Sequence, residues 1–281
     1  MTTSGTLYVV STPIGNLGDI TYRAVEVLRS VALICAEDTR HVRKLLDRYQ
    51  VKTRSMSYEK NSEARRTPQI VERLTRGEDV ALVTDAGTPL ISDPGQRLVA
   101  AAIEAGVSIV PIPGASAPLA ALVASGLDTD AFTFVGFLPR TGRERERLLS
   151  RLSALGHTSV LFESPSRLAA TLLDLSESGL GERQTVVARE LTKRHEEFRR
   201  GTVSELEAYY RANAPRGEVV IVLEGRGEGE EREEQDEGAM RDRARVLKAQ
   251  GSSTRDTVAS LVREYGVARN QAYRIAQEAQ E

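Results

Sequence analysis

The chain has 281 residues, 40% hydrophobic and 5% aromatic with no Trp, enough for two ordinary domains with cores of Val, Leu, Ile and Ala. Its formal net charge of −2 excludes a global pull toward nucleic acid and leaves any RNA partner to local basic patches. The single cysteine, Cys35, excludes an intrachain disulfide and a cysteine-rich zinc site, and its apolar surroundings predict a buried structural thiol.

Residues 7–10 predict a first strand, closed by a Gly/Pro loop at 11–19, with Asp19 a candidate N-cap for a helix over 20–28. Residues 31–36 form the next strand. Glu37-Asp-Thr-Arg40 then heads a helix over 41–49. Its carboxylates suit a helix N-terminus, and they equally suit a crevice shared with the Gly/Pro loops. A strand over 53–57 and a helix over 62–76 follow.

Residues 80–84 are apolar and too few for a helix, which predicts a buried parallel strand. After it comes Asp85-Ala-Gly-Thr-Pro-Leu-Ile-Ser-Asp-Pro-Gly95, whose prolines and glycines set an irregular path and whose Asp85 and Asp93 add negative charge. A strand-to-helix turn uses such residues too. A loop this long at a strand's carboxyl end nevertheless favours a ligand. A helix over 96–104, a strand over 107–112 and the turn 113–117 opening a helix to 124 complete a strict alternation, which predicts an α/β fold with a parallel sheet covered on both faces.

Residues 126–130 cross into a second unit with strands over 132–136, 158–162, 185–189 and 219–223. Helices are expected over 142–155, from 163 to about 178, and over 203–213, with 197–200 a further pairing segment. Arg140, Arg143, Arg145, Arg147 and Arg151 suit phosphates, although Glu144 and Glu146 interleave and make a solvated helix face an equal reading. Residues 226–238 hold seven acidic and two basic residues and read as a flexible linker. Residues 239–281 predict three helices. They have either a helix-turn-helix silhouette or the form of a plain helical dimerisation or packing module.

No P-loop and no G-x-S-x-G elbow occur, and His41, His157 and His195 are too scattered for a histidine metal site, so no metal is expected. No segment reaches the roughly 18 apolar residues of a membrane helix, and residues 1–8 lack a basic, apolar leader, which predicts a cytoplasmic protein. What remains is a set of small-residue loops at strand ends, suited to an adenosine-containing cofactor held by backbone groups.

Thr12-Pro-Ile-Gly-Asn-Leu-Gly-Asp-Ile20, Glu37-Asp-Thr-Arg40, the loop from Asp85 to Gly95, Pro113-Gly-Ala-Ser-Ala117 and Ala188-Arg-Glu-Leu-Thr-Lys193 together resemble the ribosomal RNA small subunit methyltransferase I family. That family is a branch of the tetrapyrrole methylase superfamily, and the resemblance spans about residues 5–225. It implies two αβα domains, here 1–117 and 118–225, with S-adenosylmethionine in the cleft between them, a homodimer, and a helical accessory domain at 239–281. It further implies methylation of the ribose 2′-oxygen of cytidine 1402 (RNA numbering) of 16S rRNA within the small ribosomal subunit. Carried over by position, the cofactor residues are Pro13, Ile14, Asp85, Gly87, Ile91, Ser116, Ala117, Phe162, Leu191 and Val219. Candidates for taking the hydroxyl proton are Glu37, Asp38 and Lys193. Candidates for the RNA are Arg40, Arg140, Arg143, Arg147 and Arg167.

Two departures stand out. Tyr58-Glu-Lys-Asn61 replaces the family's His-Glu-His-Asn, and Phe162-Glu-Ser-Pro-Ser-Arg167 replaces Tyr-Glu-Ser-Pro-His-Arg. A methylase of the same fold acting on a small tetrapyrrole, and a ribosome-binding factor without catalysis, are the alternatives the residues leave open.

Overall fold

The computed structural model describes residues 4–250, 252–267 and 269–278, with the side chains of 228–236 set aside. The chain forms two compact units, one over residues 1–153 and 157–224, the other over 154–156 and 225–281.

The first unit opens with β1 (Thr6–Val10), α1 (Tyr22–Ser30), β2 (Leu33–Ala36), α2 (Thr39–Arg48), β3 (Ser55–Ser57), α3 (Glu63–Thr75), β4 (Val80–Val83), α4 (Gln96–Glu104) and β5 (Ser108–Ile112). These strands make one parallel sheet of order β3-β2-β4-β1-β5. Its two faces can be read along single strands. Leu33, Cys35, Val80 and Leu82 enter the core under α3 and α4, whereas Ile34, Ala36, Ala81 and Val83 enter the core under α1 and α2. That alternation, apolar on both sides, is what a sheet covered by helices on both faces demands. Burial pushes the Cys35 thiol up to about 12, so it is an inert core group.

Helix α5 (Ala117–Val123) leads into β6 (Phe132–Phe137), α6 (Arg143–Ala154), β7 (Thr158–Glu163), α7 (Leu168–Leu175), β8 (Gln184–Arg189), β9 (Glu197–Thr202), α8 (Val203–Ala212) and β10 (Val219–Leu223). The second sheet has the order β6-β7-β10-β8-β9 and is mixed. Only β6 and β7 run parallel, because β9 doubles back on β8 after a short turn and β10 runs against both its neighbours. Alternation of strand and helix therefore describes the first half of the chain and fails in the second. Ala121 and Leu122 of α5 pack on Val160, Val186, Val220 and Val222, and Ile14 from the loop after β1 enters this same core.

Boundaries shift at several places. Thr21, not Asp19, caps α1, accepting from Ala24 N at 3.1 Å, because Asp19 closes a 3-10 turn over Leu17–Asp19. Helix α7 begins at Leu168, five residues later than expected, and passes into a π-helical turn over Ser176–Leu180.

The second unit is α9 (Glu228–Ala249), α10 (Thr254–Tyr265) and α11 (Arg269–Glu278), packed around Met240, Ala244, Leu261, Ala272 and Ile275. The acidic stretch expected as a flexible linker is helical, since Glu, Gln, Arg and Ala are good helix formers and acids favour a helix N-terminus. Glu237, inside that stretch, accepts from Arg241 at 2.9 Å and Gln271 at 3.2 Å, which fastens it to α11. Ser253 caps α10 by accepting from Asp256 N at 3.2 Å, and Gly266, at φ +67°, ends that helix. Among the described residues no helix is long and apolar enough to cross a membrane.

Candidate active site

Strands β1 and β4 are neighbours, so their loops leave the same edge of the parallel sheet side by side. The loops are laced by backbone pairing: Thr12 N donates to Gly87 O at 2.8 Å, and Gly87 N donates to Thr12 O at 3.1 Å. Thr88 Oγ1 extends the lacing by donating to Ala115 O at 3.3 Å in the turn after β5. Gly87 has φ +82°, where a Cβ would be strained and would stand 3.4 Å from Ile14 Cγ2.

Across from these loops, β-sheet register sets Glu163, Val219 and Arg189 in one row at the edge of the second sheet. Between the two edges lies a cleft of about 390 Å³. Ile14, Gly87, Ile91, Ser116 and Ala117 line it from one side, Phe162 and Val219 from the other. Three further expected cofactor residues do not line it. Leu191 is buried in the core beside Ile14, Pro13 is buried outside the lining, and Asp85 turns away to accept from Asp38 N at 3.0 Å. The lining adds residues that position-by-position reading passed over: Asp93, Phe137, Ser164 and Glu218. Asp93 was visible as a charge in the long loop. Phe137, which packs on Phe162 with ring centroids 5.4 Å apart, has no signal in sequence beyond its place at a strand end.

A second, polar cleft of about 500 Å³ is lined by Glu37, Asp38, Arg40, Glu59, Asn61 and Asp85 among others. Thr84 stands between the two clefts. Its Oγ1 is 2.7 Å from Asp93 Oδ2 and 3.1 Å from Glu37 Oε2, and one hydroxyl hydrogen serves two carboxyl groups. Burial, then the nearby Asp93 carboxyl, push Glu37 above the ordinary carboxylate range; burial, then Asp85, do the same to Asp93.

The three candidates for accepting a proton differ sharply. Asp38 caps α2, accepting from Arg40 N at 2.8 Å, and the Arg40 guanidinium together with that N–H holds its carboxyl at about 2. A group so acidic is a weak base. Lys193 lies over Gly15, where a Cβ would meet its Cγ at 2.5 Å, and its Nζ donates to Glu190 Oε1 at 2.8 Å and Glu218 Oε2 at 3.0 Å. Burial pulls that ammonium down, but the hydrogen bonds to Glu190 and Glu218 outweigh it and keep Lys193 protonated. Of the three, Glu37 alone is a carboxyl whose pKa is raised, and it lines the polar cleft.

Residues 6–207 match the family model for tetrapyrrole (corrin/porphyrin) methylases. A curated protein of Synechocystis sp., "Ribosomal RNA small subunit methyltransferase I", is 48% identical over 98% of both chains. This chain belongs to that methyltransferase family. A relative of the same name from Mesorhizobium japonicum is 50% identical over 77% of this chain and 74% of its own. Among solved structures, a cobalt precorrin-4 methyltransferase of cobalamin biosynthesis superposes with a TM-score of 0.61 at 20% identity, covering 78% of this chain and 94% of that one. At that identity the likeness is one of fold.

The family's expected RNA-facing arginines fall into separate groups. Arg140 and Arg167 line a basic pocket of about 490 Å³ with Ser164 and Ser166, and Ser164 also lines the apolar cleft. Arg145, read with the phosphate-gripping set, is instead buried, donating to Asp174 at 2.7 Å, Pro139 O at 2.8 Å and Thr171 at 3.1 Å. Arg143 and Arg147 are exposed on α6 outside this pocket, and Arg40 chelates Asp38 in the polar cleft. Two of the four altered family positions are accounted for locally. Tyr58 is fully buried with its hydroxyl 2.7 Å from Thr67 Oγ1, and Phe162 is a ring of the cleft wall.

Backbone strain collects around the same cleft. Leu90 and Ser92 take φ of 72° and 68° in the loop after β4, and Glu190 and Thr192 take 51° and 63° in the turn that backs Glu218.

Proposed function

We propose that this protein transfers a methyl group from S-adenosylmethionine to small-subunit ribosomal RNA, with the ribose 2′-oxygen of cytidine 1402 as acceptor. The observation that carries the reading is Thr84: one hydroxyl joins Asp93, in an apolar cleft of cofactor size, to Glu37, in a polar cleft beside it. The names of the curated relatives support the RNA substrate.

The apolar cleft suits the cofactor in shape and charge. Ile14, Ile91, Phe162 and Val219 supply apolar surface for an adenine, the backbone at Gly87 permits close approach, and the carboxyls of Asp93 and Glu218 suit a sulfonium or ammonium. Bound there, S-adenosylmethionine supplies an electrophilic methyl group. Glu37 accepts the hydroxyl proton as the ribose oxygen attacks, and its raised pKa makes it a better base than an ordinary carboxylate. Arg140 and Arg167 hold an adjacent phosphate, with Arg40, Arg143 and Arg147 further along the strand. Lys193 keeps the Glu190–Glu218 wall in place. The protein acts as a homodimer on the assembled small subunit.

The test is transfer of labelled methyl to small subunits from cells lacking the modification, followed by nuclease digestion. Label on the ribose of cytidine 1402 is the expected result. Label on a base or elsewhere in the RNA removes the assigned acceptor, and cofactor binding with no label on RNA removes the substrate class.

A further inference from the structure

The terminal helical unit carries a site that the methyl-transfer chemistry does not use. Four of its arginines are neutralised locally. Arg241 pairs with Glu237 and Glu278, Arg243 with Glu264, Arg245 with Asp242 and Arg274 with Glu237. Lys248 donates to Thr254 Oγ1 at 2.8 Å. Arg255 and Arg269 are different: like Arg263, both are exposed and neither makes a hydrogen bond or ion pair among the described residues.

These two guanidinium groups face one groove. It measures about 340 Å³ and runs between the start of α10 and the length of α11, lined by Thr254, Arg255, Val258, Arg269, Tyr273 and Gln277. Among the described residues no carboxylate lines it. Tyr273 is half exposed, and Gln277 Nε2 reaches its hydroxyl at 3.3 Å, one turn along the same helix. A half-exposed aromatic ring, two unpaired guanidinium groups and an amide lining one groove have the chemistry of a nucleotide platform. Aromatic faces stack bases of any sequence, and arginines neutralise the phosphates on either side. An acidic peptide would use the arginines but leave the ring and the apolar floor at Val258 without a role.

We propose that this groove binds single-stranded RNA, one base stacking on Tyr273 and the flanking phosphates pairing with Arg255 and Arg269. The site gives the enzyme a second grip on its RNA, separate from the methyl-transfer cleft. It rests on the proposed substrate class only for the identity of the natural strand.

The experiment uses the full chain and a labelled 12-nucleotide oligouridylate, with affinity read by fluorescence anisotropy across a salt series. Tyr273→Ala is expected to weaken binding about tenfold and Tyr273→Phe by less than twofold, since stacking needs the ring and not the hydroxyl. Arg255→Gln with Arg269→Gln is expected to weaken it and to lower the slope of log affinity against log salt by about 1.4, the value for two lost phosphate contacts on a single strand. All these side chains are exposed, and unchanged melting and cofactor affinity confirm that each variant is folded. Wild-type affinity and slope in both variants overturn the proposal, as does a loss shared equally by Tyr273→Phe. Failure of the methylation reading appears separately, as unlabelled RNA from the wild-type enzyme.

Discussion

Replacing Glu37 with Gln is expected to lower the rate of methyl transfer at saturating substrate by about 10²–10⁴-fold, the usual contribution of a positioned general base. Cofactor affinity should hold within about twofold, because Glu37 does not line the apolar cleft and a Gln oxygen still accepts from Thr84. The pH profile makes the test specific. As the proposed base Glu37 must be deprotonated, so the wild-type rate should fall as pH drops through its pKa, which burial and Asp93 raise above the ordinary carboxylate range. Asp93→Asn removes one of the charges that raise it, and the acidic limb should move to lower pH. A rate for Glu37→Gln within threefold of wild type would remove Glu37 from the chemistry.

The second large effect is expected from Gly87→Val. Valine at φ +82° is strongly disfavoured, and its Cβ would already touch Ile14 at the point where the loops of β1 and β4 are laced. The loop must give way, and Ile91 and Asp93 in the same loop line the cleft. Cofactor affinity should fall by about 10- to 100-fold, with a lowered melting temperature, as calorimetry would report. Gly106→Ala is the control. Gly106 also has positive φ, at +71°, but a Cβ there meets nothing within 4 Å, so this variant carries strain alone and should lose stability without losing cofactor. Equal loss of affinity in both variants would assign the effect to global destabilisation.

How much of this could be read beforehand depended on whether the determining forces were local. The first sheet was legible because each strand announces itself: a run such as Val80-Ala-Leu-Val83, buried on both faces, has no other stable arrangement in a chain alternating with helices. The second sheet was less so. Its strands look the same in sequence, and the direction of β10 is decided by partners some 30 to 60 residues away. Helical structure over residues 228–238 was missed for a related reason. Composition spoke of solvation, while the fastening of Glu237 comes from Gln271 and Arg274 on a different helix.

The candidate site divides the same way. Gly87 and Ile91 sit in a loop, and Ser116 and Ala117 at the turn opening α5, where glycine and proline content marks them at once. Asp38 was legible in both its guises, and it both caps α2 and lines the polar cleft. What sequence did not reveal was the bridge at Thr84, a residue ending an apolar run with no mark of function. Nor did it show that Arg145, one of several similar arginines in a row, is the one turned inward.

The left-handed residues around the cleft carry a consequence for binding. Leu90 and Ser92 lie in one wall or its loop, Glu190 and Thr192 behind the other, and each costs about 1–3 kcal/mol relative to a relaxed backbone. Such conformations persist only where neighbouring hydrogen bonds and packing leave the chain no alternative. Both walls are therefore rigid before any ligand arrives, and entry of a small molecule need not freeze them. Affinity is preserved because the loss of chain freedom was already incurred during folding, not at the moment of encounter. Glycine at these four positions would relax the backbone and leave a looser cleft that each binding event must order anew.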